Sequence, residues 1–163
     1  MTATLTGCNN TSSTSPVVND PSSLPSINTP KAATLSPAVA SVIGDYVSSG
    51  YAKREEGYDW VAVLITANKS AHGTEQINIK VRARSDIKKP TCRFDGQATL
   101  MGQDNAHGII FATTANDSKV FLQFKGGKLI IDSEDQYALN YYCSGGGSIV
   151  GDYQKLAGKI ELN

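Results

Sequence analysis

From residue 58 to residue 155 the chain repeats one pattern: a strand-length stretch, then a break built from residues that turn the backbone. Ile77, Ile79, Val81 and Ala83 alternate with Asn78, Lys80, Arg82 and Arg84. A two-residue period sends successive side chains to opposite faces, so this is a strand with one apolar and one basic face. Cys92, Phe94, Gly96, Ala98 and Leu100 alternate in the same way with Arg93, Asp95, Gln97 and Thr99. Residues 58–66 are rich in aromatic and β-branched residues and are apolar on both faces, which predicts a buried strand. Further strands are expected over residues 108–113, 119–124, 128–131, 137–143 and 149–155. Asn116-Asp117 and Gly126-Gly127 suit tight hairpins, the glycines by permitting positive φ, and Gly145-Gly146-Gly147 is another break. The pattern predicts an all-β antiparallel up-and-down meander. Eight or nine such strands close into a small barrel, because closure removes the exposed edges.

An internal echo supports closure. Ile43-Gly44-Asp45-Tyr46 resembles Val150-Gly151-Asp152-Tyr153 at the other end of the domain. In a closed meander the first and last strands are neighbours; glycine there lets a strand bend, and tyrosine packs over a barrel end. Ahead of the first copy, Ser36-Pro37 has the form of a short helix start, with serine as N-cap and proline in the first helical position.

The N-terminal part reads differently. Leu5-Thr6-Gly7-Cys8 fits the lipobox of bacterial lipoproteins, in which small residues precede the cut and the cysteine thiol takes the lipid. Met1 to Gly7 has no positive n-region and no apolar h-region. Either the native start lies upstream of Met1 or the match is chance. Ser, Thr, Pro and Asn dominate residues 9–37, and five of the six prolines lie before residue 38. That composition buries too little apolar area to offset its ordering entropy, so residues 1–37 read as a lipobox and a disordered tether. The barrel domain is expected over residues 38–163. The layout predicts a protein of the bacterial cell envelope, periplasm-facing or surface-exposed, held to the membrane through lipid at Cys8.

With Cys8 lipidated, Cys92 and Cys143 remain as an even pair. An oxidising compartment favours a disulfide between them; the alternative is two reduced, buried thiols. The longest apolar run, Val61-Ala62-Val63-Leu64-Ile65, is far short of the roughly 20 residues of a membrane-spanning helix. Fifteen basic residues balance fifteen acidic ones, which argues against nucleic acid as a partner.

Catalytic patterns are missing. There is no Gly-x-Ser-x-Gly elbow and no phosphate-binding glycine loop ahead of a helix. His72 and His107 each sit near glycine in expected loops, without metal-ligand spacing. Glu55-Glu56 and Glu134-Asp135 lie in polar, turn-like stretches and read as solvated charges. No catalytic residue, metal site or cofactor is assigned. Two features remain for binding. Lys80, Arg82 and Arg84, continued by Lys88 and Lys89, form a basic face suited to an anionic partner, or simply a solvated outer face. Ser144, Gly145, Gly146, Gly147 and Ser148 form a glycine-rich tip beside Cys143, with Tyr153 behind it, small enough to enter a partner's cleft.

On that loop and the overall layout, the chain broadly resembles the lysozyme-inhibitor barrels of Gram-negative envelopes, which present a Ser/Gly loop followed by tyrosine. The matching positions are Ser144, Gly145 and Ser148, with Tyr153 behind them; at the family's compact spacing this chain has Ser148 where tyrosine is expected. The resemblance implies a non-enzymatic protein that binds a lysozyme-type hydrolase. Gly57-Tyr58-Asp59-Trp60 resembles the Gly-x-Trp start of lipocalins, with one extra residue before the tryptophan. It implies the alternative, a carrier of a small apolar ligand.

Overall fold

The computed structural model describes residues 35–69, 75–86 and 89–160, with 84–86 and 89–90 described by backbone alone. Cys8, the expected tether up to residue 34, His72 and Lys88 lie outside the described residues, as do the side chains of Arg84 and Lys89.

A short helix, α1 (Pro37–Val42), opens the described chain. The Ser36 hydroxyl accepts a hydrogen bond from the Val39 amide at 3.2 Å, and Pro37 needs no partner for an amide hydrogen it lacks. Eight strands follow: β1 (Gly44–Val47), β2 (Trp60–Ala67), β3 (Gln76–Asp86), β4 (Lys89–Asp104), β5 (Gly108–Ala115), β6 (Ser118–Lys125), β7 (Lys128–Ser133) and β8 (Gly151–Lys155). Two 3-10 helices interrupt them, η1 (Ser49–Glu56) after β1 and η2 (Ala138–Tyr142) after β7. Each strand pairs antiparallel with the next, and β8 returns to β1 through Tyr46 opposite Lys155 and Val47 opposite Gln154. The result is a closed, eight-stranded meander barrel.

The hairpin chemistry is as the dipeptides require. Asn116 and Asp117 have φ of 46° and 59°, and Gly126 and Gly127 have 57° and 78°. Two consecutive positive φ values match the turn to the twist of the flanking strands.

The barrel interior is filled. Val63, Ile65, Ile77, Ile79, Val81, Phe111, Leu122 and Leu129 point inward, none more than 3% exposed. Leu139 of η2 plugs one end, and the void between it, Phe94, Leu122 and Ile149 is about 10 Å³. A space of that size holds at most about one water. The outer face of β2 is apolar for a separate reason. Ala62 and Val47 pack under Ile160, flanked by Trp60, Leu64 and Leu156. The C-terminal segment is tied down over them: the Leu156 amide donates to the Asp45 carbonyl, and the Ile160 amide to the Asp45 carboxylate, both at 2.7 Å.

The two Gly-Asp-Tyr copies carry out the same task. Gly44 (φ 147°) and Gly151 (φ 153°) each open a strand in a backbone region that side chains disfavour. Two residues on, Tyr46 and Tyr153 turn into the core, each 2% exposed. Their hydroxyls donate to the carbonyl four residues upstream, Val42 at 2.8 Å and Ile149 respectively. Each tyrosine thereby fastens the entering segment to its own strand.

One expected strand is corrected. Residues 137–143 form η2 and a single bridge at Cys143, not a strand. The turn before it is fixed by hydrogen bonds: the Ser118 hydroxyl accepts from the Asp135 amide, and the Asp135 carboxylate from the Tyr137 amide. A 3-10 winding then places Leu139 and Tyr142, three apart, on the barrel side, where Tyr142 meets Phe94 edge-on at 4.9 Å. With the strand that carries the first Gly-Asp-Tyr copy, β1, the barrel still has eight.

Candidate binding cleft at the barrel rim

Cys92 begins the site. It is an inward residue of β4, and the disulfide to Cys143 ties the segment after η2 to that strand. The tie continues in the backbone, where the Ser144 amide donates to the Thr91 carbonyl at 2.6 Å. Gly145 and Gly146 then take φ of 67° and 80°. Gly147 lies against the disulfide: a β-carbon there would stand 3.0 Å from the Cys92 sulfur. The glycines of this loop thus bring the main chain down onto the bridge.

The loop is one wall of a cleft of about 270 Å³. Gly145, Gly146, Gly147 and Ser148 form that wall, Thr91 and Cys92 contribute from β4, and the opposite side consists of Ser48, Asp59, Trp60 and Val61. The second wall is held by close backbone packing. The Ser48 hydroxyl accepts from the Val61 amide at 2.9 Å, and Tyr51 of η1 meets Trp60 edge-on at 5.2 Å. Gly50 allows η1 to lie on the entry to β2; a β-carbon on it would fall 1.9 Å from the Asp59 carbonyl oxygen. Gly50→Ala is therefore expected to push η1 off this wall and cost about 2 kcal/mol, within the range of overpacked sites. Urea unfolding monitored by Trp60 fluorescence checks it, and an unchanged midpoint would refute the packing argument.

The surroundings are aromatic and carry mixed charge. Tyr58, next to Asp59, is 52% exposed, and Tyr141, two residues before Cys143, is 75% exposed. Lys53 lies over the Tyr58 ring at 4.9 Å and Arg54 over the Tyr51 ring at 4.3 Å. Among the described residues, Asp59 is the only ionisable side chain in the cleft lining, and it makes no ion pair.

The residues singled out from sequence divide as follows. Ser144, Gly145, Gly146 and Ser148 are exposed, and Gly147 is partly covered against the disulfide. Tyr153 is the correction: it is a core residue with no surface to offer a partner, because its ring fills the barrel and its hydroxyl is spent on Ile149. Lys80 and Arg82 lie on the outer face of β3, away from the cleft. His107 belongs to the β4–β5 hairpin, where Asp104 accepts from its amide at 2.6 Å and faces its ring Nδ1 at 3.0 Å. Those hydrogen bonds hold the Asp104 carboxyl below its ordinary pKa. Glu55 and Glu56 are exposed on η1, and Glu134-Asp135 shape the turn before η2. Among the described residues, no three histidine, cysteine, aspartate or glutamate side chains gather as a metal site.

Sequence reasoning missed the far wall. Ser48 comes from one segment and Asp59, Trp60 and Val61 from another, and the sequence singled out the latter only as a lipocalin-like string and a buried strand. The chain matches no protein-family model, no curated protein and no solved structure.

Proposed function

We propose that this is a non-enzymatic envelope protein that binds a macromolecular partner through the rim cleft, with lysozyme-type hydrolases as the first partner class. The observation that supports it best is the contrast between interior and rim. Among the described residues, the interior void between Phe94, Leu122, Leu139 and Ile149 is about 10 Å³, whereas the rim holds about 270 Å³ between a glycine backbone and a side that includes Trp60. Exposed tyrosines beside a cleft supply large contact area at low entropic cost, and the disulfide keeps the loop rigid before binding. The Asp59 carboxylate suits a basic side chain of the partner. Lipid anchoring at Cys8 and an envelope location belong to the same proposal and rest on the sequence pattern alone. The carrier alternative has less support, because a lipocalin-like ligand needs several hundred Å³ inside the barrel.

The test is a binding and inhibition screen of the oxidised protein against a panel of lysozymes. At least one member is expected to bind, and Ser148→Trp should weaken that binding about 100-fold by filling the cleft. Ser148 is exposed and its hydroxyl accepts from the Val150 amide at 3.1 Å, so the unfolding free energy should fall by no more than about 1 kcal/mol for that bond. If no lysozyme binds, the hydrolase assignment fails. If one binds with the same affinity to the variant, the cleft is not the contact.

A further inference from the structure

A second concave surface lies on the outside of the barrel, across β2, β3 and β4. It is a groove of about 500 Å³ that shares no lining residue with the rim cleft. Its side chains form two cross-strand rows. One is Thr66, Asn78 and Gln97; the other is Leu64, Lys80 and Asp95. The next row places Arg82 directly opposite Arg93.

The charges here do not cancel. Arg82 is pinned: its guanidinium meets the Asp95 carboxylate at 2.8 Å and also donates to the Val81 carbonyl at 2.7 Å. That pair is complete in itself. Arg93 reaches Asp95 only at 3.6 Å and is 72% exposed, and Lys80 has no ion pair among the described residues. Three cations therefore surround one carboxylate on this face, although the whole chain is neutral. Like charges directly opposite on a sheet are destabilising, so the second arginine adds nothing that barrel stability requires.

We infer that this groove binds an extended acidic segment of a partner protein. Lys80 and Arg93 supply the surplus charge for its carboxylates. Gln97 faces its backbone with an amide group, Asn78 with its carbonyl oxygen while its Nδ2 donates to the Ala67 carbonyl at 3.1 Å, and Leu64 gives the groove an apolar side. The concavity and the amide row favour a peptide over a flat anionic membrane, which needs neither. Among the described residues no aromatic ring lines the groove to stack a sugar, which disfavours an acidic polysaccharide.

The probe is a fluorescent peptide of about ten glutamates, read by anisotropy at about 20 and 300 mM salt. Binding is expected at low salt and should weaken at least about tenfold at high salt. Lys80→Gln with Arg93→Gln should weaken it by about tenfold or more while leaving the Arg82–Asp95 pair intact and the unfolding midpoint unchanged. Lys125→Gln with Lys128→Gln, on the β6–β7 hairpin, should change it less than about twofold. Equal losses from the two pairs, or no binding at low salt, would overturn the assignment. So would tighter binding to a sulfated oligosaccharide, or to vesicles with about 30% phosphatidylglycerol, than to the peptide at the same salt.

Discussion

Replacing Cys92 and Cys143 together by serine is expected to lower the unfolding free energy by about 4 kcal/mol. The bond joins residues 51 apart. Closing a loop of that length removes chain entropy from the unfolded state, and the loss of this constraint sets the magnitude. The native state suffers as well, because Gly147 rests on the Cys92 sulfur and the whole rim loop hangs from the bridge. Denaturant unfolding of the variant against the oxidised protein measures the effect. A loss under about 1 kcal/mol would mean that η2 and the Ser144–Thr91 backbone bond hold the segment without covalent help. The rim-binding proposal adds a second readout: partner affinity should fall in the variant even under conditions where it remains folded.

Alkaline pH should destabilise the barrel steeply, through the two echo tyrosines. Burial pushes the Tyr46 phenol up to about 12, and burial with the nearby Asp152 charge pushes Tyr153 higher still. Below an ordinary tyrosine pKa of about 10, both folded and unfolded forms are neutral and the stabilisation is complete. Above it the unfolded chain loses these protons first, so stability falls as pH rises towards the folded pKa. Each tyrosine contributes a slope of about 1.4 kcal/mol per pH unit in that window. Urea unfolding at about pH 9, 10 and 11 checks the slope. Tyr46→Phe and Tyr153→Phe should each flatten it by about half, and each should cost about 1 kcal/mol at neutral pH for the lost hydroxyl bond. A stability constant across that range would show that neither ring is held neutral by the fold.

The barrel was legible because alternation is a local signal. Ile77 to Ala83 and Cys92 to Ala98 alternate without tertiary help, and Asn116-Asp117 and Gly126-Gly127 state their own turns. β1 has only four residues, too few to show a period, and was legible only through the Gly-Asp-Tyr echo, which placed it beside the last strand as found. One element was not legible. η2 reads as a strand because tyrosines favour sheets, but the burial of Leu139 in the barrel mouth decides its winding. The candidate site divides in the same way. Its glycine wall is contiguous and visible in the sequence. Its other wall is assembled by the fold from Ser48, Asp59, Trp60 and Val61. Tyr153 was misplaced for the converse reason: near the loop in sequence, it belongs to a strand that turns its ring inward.

The seam between β1 and β8 rests on two residue pairs and on the strap that joins Asp45 to Ile160 across 115 positions of sequence. Every other neighbouring pair of strands is sequential and forms from local chain. Loop-closure entropy and the dependence of folding rate on contact separation both place the seam last in the order of assembly. Strands β1 to β8 are thus expected to form a curled sheet before the barrel closes, with open edges at β1 and β8. A chain emerging from the ribosome cannot complete this fold until β8 and Ile160 are free to meet β1, and until then both edges are available for pairing with other chains.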